Sequence, residues 1–234
     1  YSGGTFRFGN RDFRDWKEQG HGYINVHRAI VESADTFFYK VVLKVGIDRL
    51  AFYAKGFGLG QKTGIQLTNE KPGLVPSSKW KKDTYKVPWY EGETVSVSVG
   101  QGYVLVTPMQ MANAYAAIAN GGRLFQPQVV DKVKDLEGKI LWEFRPKEIG
   151  RVPVSEETLD ILKKALYGVV HEDGGTGRGL RIEGIPVGGK TGTAQVVKLK
   201  ENSPRLKPHQ VAYEQRDHAW FVGFAPVDDP KIVV

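Results

Sequence analysis

The apolar positions of this chain follow two periods. Val26, Ala29, Ile30, Ala34, Phe37, Phe38, Val41 and Val42 recur near helical spacing behind Asn25, a good N-cap, and predict one long helix from Asn25 to Gly46. Ile47, Leu50, Ala51 and Ala54 mark a second helix that stops at Gly56, Gly58 and Gly60. Thr107 followed by Pro108 opens an alanine-rich helix that ends at Asn120, Gly121 and Gly122. Ser155, with Glu156 and Glu157 behind it, opens another, whose buried stripe is Leu159, Leu162, Leu166 and Val169. Thr94 to Val99 alternates like a strand or an extended arm. Leu124–Val133 and Lys139–Phe144 read as a hairpin around Glu137 and Gly138. Val187–Val197, His218–Ala225 and Lys231–Val234 are further strands, the last two joined by a tight turn at Val227, Asp228, Asp229 and Pro230. Residues 1–24 hold turn formers and aromatics without a period. The polar stretch from about residue 60 to Glu93 is a long surface excursion, unusual enough in one domain to suggest function. Helices ahead of a C-terminal antiparallel sheet make an α/β (α+β) fold.

Composition narrows the chemistry. The 234 residues are 41% hydrophobic and 25% charged, as in ordinary globular domains. A net charge of +7 favours anionic partners without choosing among them. The absence of cysteine excludes disulfides, thiolate metal sites and a cysteine nucleophile. No apolar run approaches the ~20 residues needed to span a bilayer, and no signal peptide is visible. The chain opens on Tyr1 and stops inside a strand signal at Val234, so it is expected to be part of a longer protein. Lys79, Lys81, Lys82 and Lys86, interleaved with Trp80, Tyr85 and Trp89, could imitate a nucleic-acid patch, but a solvated loop with anchoring aromatics is expected there. Five histidines occur without a Gly-x-Ser-x-Gly elbow, so no hydrolase triad is expected. Asp15 and His21 read as a hydrogen-bonded loop pair rather than as metal ligands.

The run from Gly184 through Gly189, Lys190 and Thr191 matches the phosphate-loop spacing Gly-x-x-x-x-Gly-Lys-[Ser/Thr] in full. A phosphate loop needs a helix after it, and Gly192, Thr193, Ala194, Gln195, Val196 and Val197 favour a strand. A nucleotide-binding enzyme is the alternative, and it predicts a helix after Thr191. Otherwise Lys190-Thr191-Gly192-Thr193 is an edge strand. Lys190 and Gly192 then take one face and Thr191 and Thr193 the other. The lysine supplies charge, the hydroxyls bind a carboxylate, and Gly192 lets a substrate backbone approach. A second Lys62-Thr63-Gly64 reads as a turn leading into a short strand.

Four segments in order now resemble a known family. They are Glu32-Ser33-Ala34-Asp35-Thr36-Phe37-Phe38-Tyr39, then Gly100-Gln101-Gly102-Tyr103 with Thr107-Pro108-Met109-Gln110-Met111, then Gly189-Lys190-Thr191-Gly192-Thr193-Ala194-Gln195, then Asp217-His218-Ala219-Trp220-Phe221-Val222-Gly223-Phe224-Ala225-Pro226. Together they are similar to the transpeptidase domain of class B penicillin-binding proteins. Ser33-Ala34-Asp35, Phe13-Arg14-Asp15-Trp16 and Gly20-His21-Gly22 point to the elongation type. The resemblance implies a penicillin-recognising serine-transpeptidase fold, of which residues 1–234 would be a partial domain. It implies Ser33 as a proton relay and Lys190 as the electrostatic lysine. Asp35 replaces an amide that usually contacts the substrate backbone, which a carboxylate cannot imitate as a donor. Thr191 and Thr193 would bind the terminal carboxylate of the donor, with Gly192 between them and the Thr193 N–H as half of an oxyanion hole. Gly100-Gln101-Gly102 is expected to be a supporting turn, and His218 either a cleft-edge or a structural residue.

The family's nucleophile is the serine of a Ser-x-x-Lys motif upstream of Ser33, and none precedes Ser33 here. The one formal match, Ser78-Lys79-Trp80-Lys81, lies downstream in the polar stretch and reads as surface. The nucleophile is therefore expected before Tyr1, together with a membrane anchor and a pedestal domain. The implied activity is D,D-transpeptidation of peptidoglycan stem peptides during elongation, without cofactor or metal, and with β-lactams trapping the acyl-enzyme. Implied partners are a glycan polymerase and scaffold proteins of the elongation machinery, not nucleic acid. The implied location is the periplasmic or outer side of the cell membrane. A non-catalytic peptidoglycan-binding domain is the other alternative.

Overall fold

Near the N-terminus, three of the aromatics without a period, Phe6, Phe8 and Phe13, are strand residues. In the computed structural model, which describes residues 1–196 and 210–234, β1 (Thr5–Phe8) pairs antiparallel with β2 (Arg11–Arg14), placing Phe6 opposite Phe13. Strands this short, interrupted by arginine and aspartate, carry too few positions to show alternation.

The helix expected from Asn25 to Gly46 is two helices, α1 (Val26–Val31) and α2 (Asp35–Val45). Asn25 caps α1 by accepting from the Arg28 N–H. Between the helices, Ser33 adopts a left-handed backbone with φ of 54°, a conformation that β-carbon sterics disfavour. Ala29, Val31, Ala34, Thr36, Tyr39 and Val42 are all buried, so the burial pattern runs straight through the break.

α3 (Ile47–Gly56) forms as expected. The polar excursion contains a helix, α4 (Ser78–Tyr85), capped by Ser77. Residues 94–97 are not a strand. They belong to α5 (Glu91–Val97), where the Glu93 side chain accepts from the Tyr90 N–H. Val95 packs against Phe13 and Tyr39 in a small core, and that packing outweighs the strand preference of its β-branched residues. α6 (Pro108–Ala119) has the expected cap: Thr107 accepts from the Gln110 N–H, and Gln110 Oε1 accepts from the Thr107 N–H.

The expected hairpin survives only at its tip. Of β3 (Arg123–Phe125), β4 (Lys132–Lys134), β5 (Ile140–Glu143) and β6 (Glu148–Arg151), β4 pairs with β5 while β3 pairs with β6. α7 (Glu156–His171) starts at Ser155 as expected. β7 (Gly188–Ala194), β8 (His218–Ala225) and β9 (Ile232–Val233) form an antiparallel sheet in that order, with β7 at one edge. Val197, the end of one expected strand, lies outside the described residues. α7 packs on β7 and α1, and α6 packs on β8 and β3. Ile118, Leu124, Leu159, Leu166 and Phe224 meet between these layers. At about 2–3 kcal/mol for a fully buried Phe or Leu, this core holds the sheet, through Phe224 of β8, against the helices.

Glycine at two sheet positions makes room for one ring. A β-carbon on Gly189 would stand 2.4 Å from Phe221 Cζ, and one on its partner Gly223 2.6 Å from Phe221 Cε1, so only glycine lets Phe221 cross the ladder beside Lys190. Gly192 differs. A β-carbon there would meet only Trp220 Cβ, at 3.6 Å, so the fold itself does not demand glycine.

Candidate active site

The break between α1 and α2 and the edge strand β7 bring the first and last parts of the chain together. Lys190 Nζ donates to Ser33 Oγ at 2.8 Å and to the Thr191 carbonyl at 3.0 Å. Burial pushes the Lys190 ammonium down to about 8, with the charge of Asp35, at the start of α2, opposing the fall. Ser33, Asp35 and Lys190 thus form one constellation. Lys190, Thr191, Gly192 and Thr193 line a cleft of about 970 Å³, faced by Tyr103 and Trp220. Gly100 to Gly102 form the expected turn after α5 and also line this cleft.

Thr191 has a partner that sequence reasoning did not single out. Its hydroxyl lies 2.6 Å from that of Thr176, in the glycine-rich turn after α7. The Thr176 N–H donates to the Val31 carbonyl at 3.3 Å, so this turn touches both halves of the site. The crowding of Gly174, Gly175 and Gly177 around Thr176 was the available signal. A β-carbon on Gly175 would stand 2.4 Å from the Val169 carbonyl oxygen, so the turn lies tight against α7.

The phosphate-loop alternative fails. Thr191 to Ala194 continue β7, paired with Phe221 to His218, and no helix starts there to face a phosphate. The Lys62-Thr63-Gly64 turn is held by Glu70, which accepts from both the backbone and the hydroxyl of Thr63 and from the Gly64 N–H. The short strand expected after it does not form. Ser78 is a structural residue: its hydroxyl donates to Asp48 Oδ2 at 2.6 Å and its N–H to Oδ1 at 2.9 Å, tying α4 to α3. Lys81 corrects the expectation of a solvated loop. It is 4% exposed, ion-paired to Glu93, with its ammonium 4.6 Å from the centre of the Tyr90 ring. His218 is exposed at the start of β8, opposite Ala194.

Asp15 and His21 are hydrogen-bonded, as expected, and the pair extends to a third residue. His21 Nε2 lies 3.0 Å from Asp15 Oδ1, and its Nδ1 lies 2.7 Å from Glu32 Oε2. The carboxylates sit on opposite sides of the ring rather than converging. Among the described residues no group of three such side chains could hold a metal ion, and no helix is long and apolar enough to cross a membrane.

Residues 2–234 match the family model for the penicillin binding protein transpeptidase domain. The peptidoglycan D,D-transpeptidase MrdA of Haemophilus influenzae is 40% identical over 227 residues, 95% of this chain and 34% of that protein. Penicillin-binding protein PBP2 of Helicobacter pylori, solved in a complex with MreC, matches with a TM-score of 0.81 and 32% identity, over 99% of this chain and 39% of that one. PBP2 of Pseudomonas aeruginosa, in complex with WCK 5153, also gives 0.81, at 33% identity, over 100% of this chain and 49% of that one. The chain spans about a third of the length of the curated relative. With Ser33 on Lys190 beside the cleft and the same fold in these relatives, the chain belongs to the penicillin-binding protein transpeptidase domain family.

Proposed function

We propose that the protein crosslinks peptidoglycan as a serine D,D-transpeptidase of the elongation machinery. The observation that carries this reading is the Lys190–Ser33 hydrogen bond beside the Thr191–Gly192 edge. A donor stem peptide lies along β7 with its terminal carboxylate on the Thr191 and Thr193 hydroxyls. Gly192 gives its backbone room. A serine from a Ser-x-x-Lys segment preceding Tyr1 attacks the penultimate D-Ala carbonyl, and the Thr193 N–H helps bind the oxyanion. The attacking serine's proton goes to the lysine of its own Ser-x-x-Lys segment. As the C–N bond breaks, the Ser33 hydroxyl, held by Lys190, gives its proton to the departing D-Ala nitrogen and is re-protonated from that lysine. An amine of a neighbouring stem peptide then attacks the ester, its proton passing back through the same relay to the serine oxygen as the acyl C–O bond breaks. A β-lactam follows the first half and stays as the acyl-enzyme.

The same reading gives the protein an upstream membrane anchor, an extracytoplasmic catalytic domain, and a glycan polymerase and a scaffold protein as partners. The MreC complex of the Helicobacter pylori relative supports the scaffold.

Intact mass spectrometry tests it. Full-length protein exposed to benzylpenicillin gains one penicilloyl group, and the 234-residue chain alone gains none. An adduct on the short chain overturns the upstream nucleophile. No adduct on the full-length protein overturns the transpeptidase reading in favour of a non-catalytic binding domain.

A further inference from the structure

The segment Phe13-Arg14-Asp15-Trp16 has no role in the chemistry above, yet it grips the turn that carries Ser33. Trp16 Nε1 lies 3.0 Å from the Glu32 carbonyl oxygen and 3.0 Å from that of Ser33. One N–H shared by consecutive carbonyls fixes their relative orientation, and with it the left-handed backbone at Ser33. Residues on both sides of Trp16 hold it in place. Asp15 Oδ2 accepts from the Thr36 N–H at 3.0 Å, in the first turn of α2. Asp15 Oδ1 faces His21, and His21 faces Glu32, which is ion-paired to Arg28. The His21 ring meets the Trp16 ring edge-on at 5.8 Å. Asp15 therefore holds the chain after Ser33, Glu32 holds it before, and the indole grips the carbonyls between.

We infer that Trp16 is a positioning residue for the transpeptidase reaction: its N–H sets the Ser33 turn so that Ser33 Oγ stays on Lys190 Nζ. The inference rests on the reading of Ser33 as proton relay. It does not reduce to general stability, because Trp16 is 47% exposed and is not a core residue. None of the hydrogen bonds named here touches Thr191 or Thr193, so binding and chemistry should separate.

The test is rapid-mixing acylation of the full-length protein by benzylpenicillin, resolving the dissociation constant of the first complex from the acylation rate. Trp16→Phe keeps a ring and removes the N–H. The acylation rate should fall roughly ten- to a hundredfold, the cost of a misplaced reacting group, while the dissociation constant stays within about twofold. In a Ser33→Ala background the same substitution should cause no further loss. An unchanged rate in Trp16→Phe, with Ser33→Ala inactive, overturns the positioning role alone. A Ser33→Ala protein that acylates normally overturns the relay reading, and this inference with it. If Trp16→Phe does not fold, 3-benzothienylalanine at position 16, which exchanges the N–H for sulfur in a ring of the same shape, carries the same expectations.

Discussion

Two lysines lose water in this molecule and are met in opposite ways. Lys81, on α4, is ion-paired to Glu93 and enclosed by the rings of Trp89, Tyr90 and Tyr103. Burial works against the charge of Glu93, but Lys81 and the Tyr90 N–H outweigh it and hold that carboxyl below the usual range. Lys190, on β7, meets the neutral oxygens of Ser33 and Thr191, with Asp35 as a more remote charge. A lysine neutralised by contact is a structural member, tied to its carboxylate and its rings. A lysine desolvated among neutral acceptors sits near its titration point and can take part in proton movement.

The largest expected effects come from exchanging the two roles. Lys190→Met should lower penicillin acylation of the full-length protein by about a hundredfold or more, the scale of general acid–base assistance, and leave a folded protein by circular dichroism. Lys81→Met should do the reverse. It leaves the half-buried Glu93 without its charged partner, at a cost of about 1–3 kcal/mol, and acylation per folded molecule stays near that of the parent. Denaturant titration beside acylation rates separates them. Equal losses of activity per folded molecule would dissolve the distinction.

A smaller effect follows from pH. Protonated Lys190 donates to Ser33 Oγ, leaving the hydroxyl proton for the departing nitrogen. Acylation should therefore decline as pH rises through about 8, where Lys190 loses its charge. Asp35→Asn removes the charge that opposes the fall and should move the midpoint lower. For stability the sign is opposite. The folded value lies below that of an unfolded lysine, so the charged form weakens the fold below pH 8. That penalty is relieved as pH climbs from 8 toward the ordinary lysine value. A pH–rate profile and a pH–stability profile of the same preparation should diverge above pH 8.

The smallest effect belongs to Ser78. Ser78→Ala removes the hydroxyl bond to Asp48 and should cost about 1 kcal/mol, with acylation unchanged. A lost adduct in that variant would make the Ser-x-x-Lys match within this chain a real nucleophile.

The chemistry was more legible than the path of the backbone. Ser33, Lys190 and Thr191 could be placed in one site because short segments, in a distinctive order, resemble a known family. Caps such as Thr107 and Ser155 were legible because they act within four residues. The apolar spacing gave no sign of the break at Ser33, since it continues through it while one φ changes sign; only the family resemblance, which puts that serine on a loop or helix end, called for one. Residues 94–97 misled in the other direction: their β-branched side chains suit a strand, and only the distant Phe13 and Tyr39 make them a helix. Lys81 carried no local sign of burial, because Glu93 and the ring of Tyr103 come from beyond its helix. Thr176 stayed hidden for the same reason, its partner Thr191 being supplied by another strand.

Ser33 and Lys190 stand 157 positions apart along the chain. A growing polypeptide exposes the serine long before its lysine has been made, and contacts of such separation are costly to close early. Half-made or misassembled molecules thus hold the Ser33 hydroxyl without the Lys190 ammonium that donates to it. If the proposed acylation holds, covalent capture of penicillin by the full-length protein would count finished molecules, and would serve during biosynthesis as a clock for the moment when Ser33 and Lys190 meet.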